Sequence, residues 1–245
     1  GQIFNINYKL LIQIGSAVEC IHAYSLIHDD LPCMDDDDIR RGKLSLHRKF
    51  GEATAILAGN SLLTIAFEIL SSKSLKLSDS KKIELIYYIS KCSGHSGIAG
   101  GQYLDLNYEK KKVTSNKILN MQIKKTAMLF CFACLAPLII VGKKNYFNKF
   151  YNIGSDIGLL FQITDDLLDL KGDSKKLGKK TKKDVKKGKA TLISLLGYEK
   201  TIVYNNKLKN RIFKNLNVFG KKADSLKKTI NYIIERAKWA KNTSF

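Results

Sequence analysis

The sequence predicts an all-α fold, and three observations carry that expectation. Only two prolines, Pro32 and Pro137, occur in 245 residues, so long helices run uninterrupted and a strand-and-turn architecture is disfavoured. Apolar residues recur at helical spacing in one segment after another. Hydrophobic residues make up 44% of the chain, enough at this length to bury a core and to exclude disorder.

Helices are expected over residues 10–27, 53–70, 82–98, 118–141, 146–170, 191–204 and 226–240. The first runs apolar into the acidic segment HDDLPCMDDDD. The third ends in the glycine cluster GHSGIAGG, which lacks the preceding strand and the Gly-Lys-Ser/Thr ending of a phosphate loop and reads as close helix packing. The fourth holds the longest greasy stretch, residues 127–141, which is shorter than the roughly 20 residues of a membrane span and is interrupted by Pro137. It reads as a core helix, with no membrane span. The fifth ends in a second acidic cluster, FQITDDLLDLKGD. Connections such as SSKSLKLSDS and NYEKKKVTS are short and polar, and no repeat is visible, so residues 1–245 read as one domain.

Lys and Arg total 42 against 22 Asp and Glu, a net charge of +20. Residues 171–189 alone hold ten lysines against Asp173 and Asp184, and the rest of the surplus is scattered without a continuous basic face. No nucleic-acid partner is therefore expected. A basic nucleic-acid binder is the rival, distinguished by steeply salt-dependent binding without a metal requirement. Five cysteines, an odd and sparse set, argue against a disulfide framework and for a reducing cytosol. Cys131 and Cys134 form a CxxC in an apolar run without a second pair, and read as buried small hydrophobes. The chain opens GQIFNINYKLLIQIG, without an initiating Met or the layout of a secretory signal, as a fragment would.

Six aspartates fall between positions 29 and 38, and crowded carboxylates weaken a fold unless a cation neutralises them. Asp165 and Asp169 share a helical face, with Asp166 beside them and Gln162 one turn earlier. Asp29 and Asp35 would not share a face of a regular helix, but the break at Pro32 could bring them together. Two hard-oxygen clusters without His or Cys ligands point to Mg²⁺, which completes its shell with water and phosphate, so a diphosphate between the clusters is expected. Arg40, Arg41, Lys125 and the lysine stretch supply cations for the remaining charge.

The segments ECIHAYSLIHDDLPCMDDDDIRRGKLSLHRKFGEATAILAGNSLL, GGQYLDL, KKTAMLF, GLLFQITDDLLDLKGD, LGKK, KDVKKGKATLISLLG and YIIERAK, in this order, resemble the trans-isoprenyl diphosphate synthases, most of all the bacterial farnesyl diphosphate synthases. The resemblance covers essentially the whole chain and implies a helical bundle around a central apolar cavity. It implies that Asp29, with Asp30 and Asp35, holds Mg²⁺ from one wall and Asp165 with Asp169 from the other, three ions in all, with Asp105 and Asp166 as supporting acids. Arg40, Lys125, Thr126, Gln162 and Lys189 match positions facing the allylic diphosphate, as does one of Lys179 and Lys180. His22 and Arg41 match positions for isopentenyl diphosphate. Tyr24, roughly 7.5 Å before Asp29 along the helix, resembles the floor that limits product length, and Ser25 beside it is small. The implied catalytic residues are Asp29, Asp35, Lys125 and Asp165, in a cytoplasmic homodimer that condenses the two diphosphates.

The chain departs from the family in having no Gly-Lys-Arg motif upstream of Asp29, so weak or no condensation by the chain as it stands is expected, and a non-catalytic relative is a rival. Geranylgeranyl diphosphate synthase is the rival within the class, separated only by the cavity floor. A terpene cyclase is disfavoured by DDLLD. Thr164, where many relatives carry Gln or Arg, is expected to be a minor change.

Overall fold

The computed structural model of the protein describes residues 1–171 and 191–239. Its first long helix, α1 (Tyr8–Asp29), begins where the Asn7 side chain accepts the Lys9 N–H at 2.9 Å, an N-cap that satisfies one of the orphan donors of the first turn. Behind it come a two-residue antiparallel ribbon, β1 (Ile39–Arg40) and β2 (Lys43–Leu44), and a short α2 (Leu46–Phe50). Arg41 and Gly42 at the ribbon's tip both take positive φ, 52° and 76°, as a tight two-residue hairpin requires. Glycine adopts this freely, whereas Arg41 is held there at some cost in strain, a pattern common at functional sites.

Helices α3 (Glu52–Ser71), α4 (Asp79–Ser93), α5 (Ile98–Tyr108) and α6 (Ser115–Gln122) follow. The last passes through one π-helical turn, Ile123–Ala127, into α7 (Met128–Val141). Then come α8 (Phe147–Lys171), α9 (Leu192–Leu196), α10 (Tyr198–Leu216) and α11 (Asp224–Trp239). The all-α expectation holds. Three boundaries differ from it: the third helix stops at Ser93 and a separate α5 covers GGQYLDL, α9 breaks at Gly197, whose φ is 77°, and α10 continues to Leu216.

Among the described residues, the two larger of three apolar clusters organise the helices. The first gathers Ile14, Ile21 and Tyr24 of α1, Leu70 of α3, Ile89 of α4 and Phe132 and Ile139 of α7. The second gathers Ile157, Leu160 and Ile163 of α8, Leu208 and Ile212 of α10 and Ile230 of α11. Between them α7 and α8 approach closely because α8 offers glycines: a methyl on Gly158 would come within 2.3 Å of the Ala127 Cα, and one on Gly154 within 2.6 Å of the Cys131 Cα. Arg211 of α10 is bonded through two nitrogens, at 2.5 and 2.6 Å, to Asp156 of α8. Thr164 is fully buried, donating to the Leu160 carbonyl and accepting from Asn205 of α10, so the position reads as an interior tie between helices.

Pro137 does not end the greasy helix. It lies buried within α7, and the helical run Ser115–Val141 is 27 residues long. By length and composition that run, Tyr8–Asp29 and Glu52–Ser71 are each apolar enough to cross a membrane, so the length argument against a span does not hold. The apolar periods of these helices serve a protein core as readily as a bilayer, and half of the most apolar window of Ser115–Val141 is buried inside the protein. Cys131 is buried and burial pushes the thiols of Cys92 and Cys134 up to about 12, in keeping with packing duty.

Candidate active site

The end of α1 is shaped by the chain reversal at Pro32. The Asp35 N–H donates to the Asp29 carbonyl at 2.8 Å, Asp36 N–H to Leu31 and Asp37 N–H to Asp30, which fold the loop back on the helix. Asp29 and Asp35, six apart in sequence, thereby face a common partner. The Lys125 ammonium lies 4.0 Å from a carboxylate oxygen of each and 2.6 Å from Asp105 of α5. At 4 Å and an effective dielectric of about 20, each such attraction amounts to about 4 kcal/mol before desolvation is counted. Burial alone would push the Lys125 ammonium down, but Asp29, Asp105 and Asp35 outweigh it and its pKa rises above the ordinary lysine value. Lys125 is therefore charged, and one cation is shared by three carboxylates.

The π-helical turn that carries Lys125 also reaches the second acidic cluster. Thr126 donates to the Gln162 side-chain oxygen at 2.7 Å, and Gln162 and Gln122 each donate to Asp166, at 2.8 and 3.1 Å. Within five residues, Gln122 to Thr126, the chain is tied to both aspartate signatures. A π turn re-aims side chains that a regular helix would spread by 100° each, which is why such turns gather at functional sites. Gly101 makes room for it, since a methyl there would meet the Lys125 backbone nitrogen at 2.1 Å. Gly101→Ala is expected to destabilise the protein by about 2–3 kcal/mol and to displace Lys125. Thermal unfolding together with the affinity for inorganic pyrophosphate checks this; unchanged values of both would contradict it.

The remaining residues predicted from sequence fall as follows. Asp165 lies 3.3 Å from Arg236 of α11, and Asp169 is buried. Asp30, expected among the metal-holding acids, is 3% exposed and its carboxylate is forked by Arg40, whose Nε lies 3.1 and 3.2 Å from the two oxygens, with a second bond from Nη2. Adjacent aspartates on a helix point about 100° apart, so Asp29 and Asp30 address different partners. Burial pushes the Asp30 carboxyl up and Arg40 opposes it. Arg40, which also stands 3.8 Å from Asp37, thus fastens the acidic loop. Arg41 places Nη2 3.5 Å from His22 Nε2. Burial, and then Arg41 and Arg40 against an opposing Glu19, pushes the His22 imidazole down, so at neutral pH it is uncharged and can accept this contact.

Tyr24 is buried, its ring edge-on to His28 at 5.6 Å and its hydroxyl 3.4 Å from the Ser93 carbonyl. Ser25 donates to the His22 carbonyl. Lys179, Lys180 and Lys189 lie outside the described residues. Sequence reasoning missed Gln122 and Arg236, although Arg236 stands within the quoted YIIERAK. It also missed a mixed group, Asp36, Asp38 and His47, whose candidate ligand atoms lie within 4.8 Å of one another. The six-aspartate run was the available signal, but only the fold of α2 brings His47 to it.

The polyprenyl synthetase family model matches residues 2–233. The farnesyl diphosphate synthase of Micrococcus luteus is 42% identical over 228 residues, covering 93% of this chain and 78% of that protein. Among solved structures, an apo FPP/GFPP synthase from Zymomonas mobilis superposes with a TM-score of 0.84 at 38% identity, over 95% of this chain and 79% of that one. A geranyltransferase from Helicobacter pylori, complexed with magnesium and isoprenyl diphosphate, superposes with a TM-score of 0.79 at 32% identity, over 99% of this chain and 81% of that one. With both aspartate signatures tied to one turn of helix and a match that runs nearly end to end, the chain belongs to the polyprenyl synthetase family.

Proposed function

We propose that the protein is a farnesyl diphosphate synthase, condensing isopentenyl diphosphate with dimethylallyl or geranyl diphosphate. The observation that carries this reading is the single turn holding both acidic clusters: Lys125 gathers Asp29, Asp35 and Asp105 while Gln122 and Thr126 hold the Gln162–Asp166 pair. The donor set fits magnesium, being hard carboxylate oxygen already arranged around a cation, and the residues to hold it are Asp29 and Asp35 with Asp165 and Asp169. Magnesium bound there supplies Lewis-acid stabilisation of the departing diphosphate, and by family resemblance three ions serve one site.

The chain's own residues do the rest. Lys125 stays charged in a largely buried position and donates to the allylic diphosphate, with Thr126 and Gln162 as neighbouring donors. Charge developing on the leaving diphosphate therefore meets donors fixed before the bond breaks. Arg41 and His22, 3.5 Å apart, receive isopentenyl diphosphate, whose double bond attacks the allylic cation. The proton then lost passes to the departing diphosphate. No side-chain nucleophile is required, so the aspartates act as ligands rather than as an acid–base pair.

Chain growth ends at Tyr24, which the core around Ile21 and Phe132 holds rigid. The three long apolar helices are read as core rather than membrane spans, since α1 and the Ser115–Val141 run meet at the Lys125–Asp29 pair. A cytosolic homodimer is the assembly proposed, with no nucleic-acid partner; exposed Leu57 and Ile65 on α3 are apolar surface that a second copy would cover. The test is incubation with Mg²⁺, isopentenyl diphosphate and geranyl diphosphate, resolving products by length. Farnesyl diphosphate is expected, and Tyr24→Ala is expected to give longer products. Unchanged length in that variant would remove Tyr24 from this role, and absence of any magnesium-dependent product even with a Gly-Lys-Arg segment supplied upstream of Asp29 would overturn the assignment.

A further inference from the structure

Arg236 sits in the last turn and a half of α11, on the helix that Ile230, Ile233 and Ile234 anchor in the second core. Its guanidinium lies 5.7 Å from the Phe161 ring centroid and 3.3 Å from an Asp165 carboxylate oxygen. Phe161 and Asp165 are one turn apart on α8, so a single side chain spans that turn from apolar face to acid. The ring it lies over is itself held by Phe130 of α7, at 5.4 Å between centroids. The guanidinium is thus seated on a packed surface with one end on the acid expected to open the second metal site.

We infer that Arg236 is, among the described residues, a resident counter-cation of the second acidic cluster in the metal-free protein, and that a divalent metal displaces it from Asp165, coupling metal occupancy to the position of the end of α11. The inference rests on the reading of Asp165 as a metal-facing carboxylate. Its physical basis is competition: a divalent ion binding that carboxylate places two positive charges beside a guanidinium already within ion-pair distance, and the two repel. The same logic operates at the first cluster, where Lys125 is enclosed by three acids. Arg236 differs in being 35% exposed, against 20% for Lys125, so it is the more readily displaced of the two.

Trp239, the only tryptophan in the sequence, follows Arg236 by three residues in α11, so tryptophan fluorescence is taken as the readout for this part of the chain. The experiment titrates the full chain with Mn²⁺ in the presence of inorganic pyrophosphate, following bound metal by electron paramagnetic resonance and Trp239 by fluorescence, for wild type, Arg236→Gln and Arg236→Lys. In wild type the fluorescence should change in step with metal binding. Removal of a partly exposed ion pair should tighten Mn²⁺ binding by about 3- to 5-fold in Arg236→Gln, with the fluorescence change lost, while Arg236→Lys keeps both wild-type behaviours. Equal or weaker Mn²⁺ binding by Arg236→Gln, or a Trp239 signal in that variant that still follows the metal, overturns the inference alone. If wild type binds no Mn²⁺ with pyrophosphate, the metal-site reading falls and this inference with it.

Discussion

Asp29→Asn is expected to lower turnover by about 10³-fold, on the scale of losing one fixed electrostatic contact to a developing charge, while leaving the fold intact. The Asp29 backbone carbonyl still accepts the Asp35 N–H, so the reversal at Pro32 survives the substitution. What is lost is one carboxylate of the set around Lys125. Because that set crowds like charges, the variant's stability without metal should be equal to or slightly above wild type. Steady-state kinetics with geranyl diphosphate, beside thermal unfolding without metal, checks both halves. A loss of less than about tenfold would mean that Asp29 does not anchor the leaving group's counter-ions.

Lys125→Met has the opposite signature. Burial is tolerated by the ammonium because Asp29, Asp105 and Asp35 surround it, and removing it takes from those carboxylates the cation they share. Breaking a buried ion pair from one side typically destabilises by 3–5 kcal/mol, so a loss of about 3 kcal/mol is expected in metal-free protein. Magnesium should restore much of it, because the ion takes over the neutralising role. Urea denaturation with and without Mg²⁺ measures both values. Metal-free stability equal to wild type would show that Lys125 does not hold the acids together.

The contrast between these substitutions shows what the sequence made legible. The acidic signatures were readable because six aspartates in an apolar context have no inexpensive structural explanation, and the Pro32 break was readable because proline cannot continue a helix. The π turn was not. A single inserted residue leaves the apolar spacing of residues 118–141 looking like one helix, and the consequence, Lys125 and Thr126 addressing different acidic clusters, belongs to backbone geometry alone. Helix α5 was hidden for a related reason: Gly101 serves backbone approach to Lys125 and Gly100 to His95, and both dilute the apolar period by which helices are recognised. The pairing of Asp30 with Arg40 and of Asp165 with Arg236 is long-range, and ordinary charged residues carry no mark of which partner the fold will bring. Pro137 misled because a rule for helix interiors is averaged over contexts, whereas here the surrounding core of α7 overrides it.

The central claim is that both acidic clusters serve one diphosphate through metal ions. Diffraction from crystals containing Mn²⁺ and inorganic pyrophosphate, recorded at a wavelength where manganese scatters anomalously, tests it directly. The account predicts manganese at the carboxylates of Asp29 and Asp35 and also at those of Asp165 and Asp169, with a single pyrophosphate bridging the two sets. Manganese confined to one cluster, or bound only at Asp36, Asp38 and His47, would contradict it.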